Sequence, residues 1–406
     1  MAVRAYERFI RYAKIHTTSS ETSGTHPSFA GEWDLARILE EELKELGAQN
    51  VRVDAHCYVY ASLPASPGCE DAPAIGFIAH MATSDAASGK DVKVLLHEDY
   101  DGKDVVLPSG RILRTADFPF LKDLAGETLL TGDGTTLIGA DDKAGIAEIM
   151  TAAETLLNGG PSHGPLRICF TPDEEIGEGA DLFDVEGFGA DFAYTVDGGD
   201  VGGIEYENFN AAAADVTVRG VSVHPGSAKN VMKNAVKIAM EFASCLPAAE
   251  CPEMTDDREG FFHLTDMEGN VSAAKLSYII RDHDAEKFEA KKRLVLQIAD
   301  EINGKYGEGT VSVSIRDQYY NMIEKIRPHM HLIENAKAAI RDAGLTPQCL
   351  PVRGGTDGAR LSFMGLPCPN LGTGGFNFHG EYECITAERM DRAVQVILNL
   401  AARYAI

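Results

Sequence analysis

Five short segments of the sequence end in side chains that commonly bind metal ions. Each begins as a strand-like run and then reaches histidine or carboxylate residues. In chain order they are Gly76–His80, Leu137–Lys143, Phe170–Glu175, Tyr194–Gly199 and Asn377–Gly380. Two histidines with three or more carboxylates suit zinc, cobalt or manganese, and they do not suit metals bound by soft thiolates.

No single member of this set is diagnostic. A lone histidine at a strand end is often an ordinary polar residue, and the pair Glu174-Glu175 is also typical of an exposed charged turn. The pair Asp141-Asp142 is also typical of a helix start. The joint pattern is stronger, because ligands of open α/β sheets bind beyond the carboxyl ends of the strands, where such residues converge.

The elements that must position these residues alternate between strands and helices. Short apolar runs predict buried strands at Ala74–Ala79, Leu166–Phe170 and Phe192–Val196, and a helix from about Lys143 to Leu157 lies between the first two. The alternation predicts an α/β fold with a sheet flanked by helices. The pattern changes at about Ala211. A strand–helix–strand–helix–strand series then predicts a smaller α+β domain inserted in the larger one.

Composition excludes several classes of function. The chain has 406 residues, with 37 basic and 62 acidic residues and a formal net charge of −25. Nucleic acid and anionic lipid are therefore not expected as partners, because phosphate groups would be repelled. We expect no secretory signal in Met1–Thr18 and no membrane span. The eight cysteines are scattered without a Cys-x-x-Cys pair, which favours a reducing cytoplasm.

Longer motifs carry a family resemblance. The strings HMATS, LIGADDKAG, FTPDEEIG, TVDGG, VHPG, RGGTDG and FNFHG occur in this order, with PEMTDD and GLPCPN between them. Over essentially its whole length the chain resembles the peptidase T branch of the M20 metallopeptidases. The resemblance implies a zinc-dependent aminopeptidase that releases the N-terminal residue from tripeptides. It also implies a zinc-peptidase catalytic domain at 1–210 and 317–406, with an inserted lid at 211–316.

The resemblance also implies two Zn²⁺ ions per subunit, with Co²⁺ or Mn²⁺ as possible substitutes. It assigns His80 and Asp197 to the first zinc, Glu175 and His379 to the second, and Asp141 to both. Glu174 resembles the general base, which takes a proton from the metal-activated water and passes it to the leaving amine. The implied partner is a short peptide, and the chain is a monomer or a homodimer.

Three further residues resemble substrate-binding groups. His224, in VHPG on the predicted lid, resembles the residue that stabilises the oxyanion of the tetrahedral intermediate. Arg353 in RGGTDG and Arg281 in IIRD are candidates for gripping the terminal carboxylate of the peptide. Either arginine is alternatively a structural ion-pair residue. A fixed carboxylate clamp would limit the length of the peptide.

The sequence departs from the family pattern at Ala82. The family motif is His-x-Asp-Thr, whereas here it reads His80-Met81-Ala82-Thr83. The family aspartate accepts a hydrogen bond from the metal-bound histidine, and losing such a partner typically costs about 10–100-fold in metal affinity or activity. We therefore expect a weakened or inactivated enzyme. Three explanations remain: an introduced change, a naturally weak enzyme, or a peptide-binding pseudoenzyme. A related amide hydrolase, such as a deacylase or dipeptidase, is a further alternative.

Overall fold

The computed structural model describes residues 3–405, which form two compact units. The first unit contains the chain up to Tyr206, Glu324–Leu350 and the chain from Thr356 onward; the second contains Glu207–Ile323 and Pro351–Gly355. The α-helices are α1 (Ala5–Ala13), α2 (Gly31–Leu46), α3 (Ala140–Leu157), α4 (Val185–Phe188), α5 (Ala235–Cys245), α6 (Ala285–Tyr306), α7 (Ile323–Ile326), α8 (His331–Asp342), α9 (Asp357–Phe363) and α10 (Ala387–Arg403). The strands are β1 (Gln49–Val53), β2 (Val59–Leu63), β3 (Ile75–His80), β4 (Leu95–His97), β5 (Val105–Val106), β6 (Ile112–Leu113), β7 (Leu129–Thr131), β8 (Leu166–Thr171), β9 (Phe192–Gly198), β10 (Gly203–Glu205), β11 (Asn210–Arg219), β12 (Phe261–Gly269), β13 (Ala273–Asp282), β14 (Val311–Tyr319), β15 (Gln348–Cys349), β16 (Asn370–Gly372) and β17 (Cys384–Thr386).

An eight-stranded mixed sheet organises the first unit, in the order β1-β2-β8-β3-β9-β16-β10-β15. Its middle strands β8, β3, β9 and β16 run parallel to one another, whereas β1–β2, β2–β8 and β10–β16 pair antiparallel. The carboxyl ends of four neighbouring strands therefore lie along one edge of the sheet. The predicted α/β class with a mixed sheet is confirmed.

The buried strand β3 and the helix α3 support this edge of the sheet. All six residues of β3 are buried, as expected for a parallel strand covered on both faces. Helix α3 is buried on nearly all sides and packs against β3, β9, α1 and α10. Its first residues, Asp141 and Asp142, have non-helical backbone angles, so the regular helix begins near Lys143, as predicted.

The second unit is a four-stranded antiparallel sheet, in the order β12-β13-β11-β14, whose core includes side chains of α5 and α6. Alternation along β11 buries Val216 and Val218, as its sequence pattern indicates. Strand β12 was not predicted, because it lies at the edge of the sheet and most of its residues are exposed, so no apolar periodicity marks it.

The structure draws the boundaries of the second unit differently from the predicted lid at 211–316. The unit begins at Glu207 and continues to Ile323, because buried amide hydrogen bonds join the two chain ends: the Asn208 N–H donates to the Asn321 side chain at 3.1 Å. It also includes Pro351–Gly355, because Arg353 donates to main-chain carbonyls between Thr255 and Glu259. Among residues 3–405, no helix is both long enough and apolar enough to cross a membrane.

Candidate metal centre

Each predicted metal-binding segment reaches the same edge of the central sheet. His80 is the last residue of β3, and Asp197 lies near the end of β9. Glu174 and Glu175 form a 3₁₀ turn after β8, and His379 lies in the loop after β16. Because these four strands are parallel neighbours, residues far apart in the sequence converge, as the strand-end argument predicts.

Asp141 lies between the two histidines. Its Oδ1 is 2.9 Å from Nε2 of His80, and its Oδ2 is 3.0 Å from Nε2 of His379. The non-helical backbone at Asp141 places this carboxylate before the first regular turn of α3. Each oxygen of one carboxylate therefore faces a different imidazole, which is an arrangement that can bridge two cations.

Two groups of potential ligands share this carboxylate. The first, the buried set, consists of His80, Asp141 and Asp197; the second, the open set, consists of Asp141, Glu175 and His379. Within each set the ligand atoms lie within 4.8 Å of one another. Nε2 of His80 is 3.2 Å from Asp197, and Nε2 of His379 is 3.1 Å from Glu175. The side chain of His80 is 2% exposed, whereas that of His379 is 46% exposed.

Burial and the neighbouring charges shift the pKa values of the side chains in both sets. Burial raises the pKa of Asp197 to about 7 despite the opposing effect of His80. Hydrogen bonds to Asp141 and Glu175 raise the pKa of His379 to about 10. Burial acts to raise the pKa of Asp141, but its hydrogen bonds to His379 and His80 outweigh burial and hold that pKa low. The histidines thus take up protons beside the carboxylates.

The donor atoms also fit divalent metal ions. Imidazole nitrogen and carboxylate oxygen are ligands that zinc, cobalt and manganese accept. Among the described residues, the buried Oε1 of Glu175 has no hydrogen-bond partner. An unpaired buried carboxylate oxygen is costly unless a cation or donor satisfies it. The residues present therefore fit a metal in each set.

Glu174 stands beside these sets and belongs to neither. Its Oε2 is 3.9 Å from Nε2 of His80, farther than the oxygens of Asp141 and Asp197. Burial raises the pKa of Glu174, and the charge of Asp197 raises it further. A carboxylate with a raised pKa next to a metal centre can accept and return a proton near neutral pH.

The structure corrects one expectation about Ala82. We expected the His80 ring to lack its second hydrogen-bond partner, yet Nδ1 of His80 is 2.9 Å from the main-chain oxygen of Ala82 itself. The Nδ1–H group donates to this carbonyl, which leaves Nε2 to face Asp141 and Asp197. Ala82 is fully buried. The chain therefore keeps a partner for the ring and lacks only the carboxylate charge.

His224 lies in the second unit, where it is exposed. Its Nδ1 accepts a hydrogen bond from the Gly226 N–H at 3.1 Å and caps the 3₁₀ turn Pro225–Ser227. With Nδ1 accepting, the neutral ring carries its hydrogen on Nε2. The ring is thus a potential hydrogen-bond donor.

Both candidate arginines are engaged within the second unit. Arg353 donates to the carbonyl oxygens of Thr255, Asp257 and Glu259, and its guanidinium lies 5.1 Å from the ring centre of Phe209. Arg281 donates to the carbonyl oxygens of Ala212 and Ile280 and lies 5.4 Å from the ring centre of Tyr319. These contacts give each arginine a structural role through main-chain carbonyls and an aromatic ring, whereas the alternative stated from the sequence was an ion pair.

Several buried acids near the centre were not singled out from the sequence. Asp142 accepts hydrogen bonds from the main-chain N–H groups of His80 and Gly145 and so ties β3 to α3. Asp173 accepts from the Ser28 N–H, and Asp357 accepts from the Thr171 hydroxyl. Glu383 accepts from three N–H groups, the last of them that of Asp141. Asp142, Asp173 and Asp357 lie inside the recognised motifs, so their position was the available signal.

Comparison with known proteins decides the family. The sequence profile of peptidase family M20/M25/M40 matches residues 130–403. The chain belongs to this family. Peptidase T of Halothermothrix orenii is 55% identical over 99% of both chains, and peptidase T of Alkaliphilus oremlandii is 53% identical over 98% of both.

Solved structures of several peptidases share the fold. Aminopeptidase PepT from Bacillus cereus has a TM-score of 0.80 and 22% identity, covering 99% of this chain and 98% of that one. A tripeptidase from Staphylococcus aureus has a TM-score of 0.78 and 20% identity, with the same coverage. A Bacillus subtilis protein described as a dinuclear metal-binding peptidase from the M20 family has a TM-score of 0.63 and 16% identity, covering 98% of each chain.

Proposed function

We propose that this M20 protein is a metal-dependent aminopeptidase that releases the N-terminal residue from tripeptides. The observation that carries the proposal is the position of Asp141 between His80 and His379, with one carboxylate oxygen facing each ring. Relatives named peptidase T, more than half identical to this chain, support the choice of substrate. A cytoplasmic location fits the proposal.

We assign one cation to the buried set and one to the open set, with Asp141 shared. The nitrogen and oxygen donors favour Zn²⁺, with Co²⁺ and Mn²⁺ as substitutes. Cations held by these residues would lower the pKa of a coordinated water towards neutrality. Each histidine must give up its extra proton to coordinate, so metal binding releases protons.

Glu174 is the proposed general base. A carboxylate oxygen of Glu174 takes the proton of the attacking water and then delivers it to the nitrogen of the leaving amine. Its raised pKa supports this return step, because a more basic carboxylate holds the proton long enough to transfer it. Glu175, the next residue, has its Oε2 directed to His379, so the two neighbouring acids take different tasks.

The substrate contacts are proposed from the resemblance. His224 donates its Nε2–H to the substrate carbonyl oxygen on which negative charge develops. The hydrogen bond that Nδ1 of His224 accepts supports this role, because it leaves the ring hydrogen on Nε2. Arg353 or Arg281 binds the terminal carboxylate of the peptide. On binding, the peptide carboxylate replaces some of the main-chain carbonyls that accept hydrogen bonds from that arginine in this structure.

We infer that Ala82 lowers turnover more than it lowers metal binding. The Ala82 carbonyl already holds Nδ1 of His80, so the ring keeps its orientation and tautomer. The missing carboxylate would have added negative charge behind the ring and made it a more basic ligand. The same substitution supports a second candidate function, a peptide-binding protein without catalysis.

The test is turnover of matched di-, tri- and tetrapeptides by the zinc-loaded chain and by its Ala82→Asp variant. The proposal expects tripeptides to be cleaved fastest by both proteins. Equal rates on all three lengths would argue against the tripeptide assignment and favour a broader amide hydrolase. Tripeptide binding without turnover, even in Ala82→Asp, would favour the non-catalytic alternative.

A further inference from the structure

We propose that Glu383 is a positioning residue that holds Asp141 and His379 in register for the open set. This inference rests on the proposed metal centre and adds a residue that neither the motifs nor the family resemblance assigned. Glu383 is 2% exposed and immediately precedes β17. It touches no proposed metal position itself, and it acts through the main chain around the ligands.

The carboxylate of Glu383 accepts hydrogen bonds from three N–H groups in the turn that carries Asp141. Oε2 of Glu383 accepts from the Ile138 N–H at 2.6 Å and from the Gly139 N–H at 2.8 Å, and Oε1 accepts from the Asp141 N–H at 3.1 Å. The turn leads into α3, where the first N–H groups lack partners inside the helix. Glu383 supplies a partner for the Asp141 N–H and for two N–H groups just before the helix.

The same residue closes the loop that carries His379. The N–H of Glu383 donates to the Gly380 carbonyl at 3.1 Å, and Phe376 and Cys384 exchange main-chain hydrogen bonds of 2.8 and 3.0 Å. Residues 376–384 therefore form a closed loop with Glu383 at its base. His379 lies within this loop in a left-handed conformation, with φ of 61°. A side chain from the base of this loop thus fixes the turn of Asp141.

Loss of the Glu383 contacts should affect metal binding at the open set. Nε2 of His379 and Oδ2 of Asp141 are 3.0 Å apart and come from chain segments that Glu383 joins directly. In Glu383→Gln, one acceptor oxygen becomes an amide donor that faces main-chain N–H donors, so the two segments lose part of their connection. We expect metal affinity at the open set to fall by about 10–100-fold, the cost typical of losing a hydrogen bond behind a ligand.

Glu381 offers a matched control on the same loop. Its carboxylate pairs with Arg111 at 3.1 Å and is 35% exposed, so it lies outside the contacts to Asp141. Glu381→Gln removes the same charge two residues away. A general effect of loop charge would weaken metal binding in both variants, whereas a positioning role affects Glu383→Gln alone.

The experiment is zinc titration of the full chain and its variants against a competing chelator, with thermal melting of the metal-free proteins. We expect two zinc ions in the parent and in Glu381→Gln, weaker binding of one zinc in Glu383→Gln, and partial recovery in Glu383→Asp. Parent-like zinc affinity in Glu383→Gln overturns this inference alone. No zinc binding by the parent overturns the proposed function and this inference with it. If Glu383→Gln does not fold, Glu383→Asp decides: parent-like affinity overturns the inference, and a weaker second zinc supports it.

Discussion

The buried and open donor sets share Asp141 but are held in place in different ways. His80 ends a buried central strand, and both of its ring nitrogens have partners, Ala82 on one side and Asp141 on the other. His379 is 46% exposed and comes from a loop. The sheet itself positions the buried set, whereas the open set depends on how the loop is held. We therefore expect the metal of the open set to be lost first.

We expect the largest effect from replacing Asp141, the residue that the two sets share. Asp141→Asn takes the bridging carboxylate from both sets, so both cations should bind poorly. Activity should fall by more than the roughly 100-fold that losing a hydrogen bond behind a ligand costs. Elemental analysis and a tripeptide assay measure the two results. Retention of both metals at parental affinity would show that Asp141 does not bridge them.

Glu174→Gln should separate catalysis from metal binding. Glu174 lies outside both sets, so the variant should keep two metals while turnover falls by about 10²–10⁴-fold, the usual contribution of a general base. Glu178→Gln, an exposed acid near the same turn, is the control and should stay close to the parent. Loss of metal from Glu174→Gln would make this residue a ligand instead.

His379→Ala and His80→Ala each remove the histidine of one donor set. His379→Ala should leave about one metal per chain, bound by the buried set, because His80, Asp141 and Asp197 are intact. His80→Ala should also lower thermal stability, since it opens a space among residues buried in β3. Metal content and melting temperature are the measurements. Equal loss of both metals and equal melting in the two variants would remove the distinction between the sets.

The smallest expected effect concerns Arg353 in the second unit. Arg353→Met removes hydrogen bonds to the Thr255–Glu259 segment and should cost about 1–2 kcal/mol in the free energy of unfolding. Metal content should not change, because neither donor set includes this residue. If Arg353 also binds the substrate carboxylate, KM for a tripeptide should rise. An unchanged KM would indicate that Arg353 has a structural role and does not bind the substrate carboxylate.

Much of the fold was readable from local pattern. The runs that became β3, β8 and β9 are mainly apolar. His80 ends β3, Asp197 lies near the end of β9, and Glu174 and Glu175 follow β8. Strand β12 had no such pattern, because its stability comes from pairing with β13 at the edge of a sheet. Long-range pairing of this kind leaves little trace in a single sequence.

The sequence indicated the candidate ligands, and their assignment to two metals came from the family resemblance. His80, Asp141 and His379 stand out because histidine and aspartate at strand ends and helix starts are chemically suggestive. The roles of Glu383 and of the Ala82 carbonyl were not predictable, since both depend on contacts between distant segments or on the path of the main chain. A carbonyl oxygen exists at every residue, so no sequence signal could single out this one.

The most direct test of the proposed role of Ala82 measures zinc content and tripeptide turnover for this chain, Ala82→Asp and Ala82→Asn. Ala82→Asn has nearly the shape of the aspartate without its charge, and melting temperature checks that each buried substitution folds. We predict similar zinc content in all three, with turnover raised about 10–100-fold in Ala82→Asp and little changed in Ala82→Asn. Equal turnover of Ala82→Asp and the parent at saturating zinc would show that the missing carboxylate does not limit turnover.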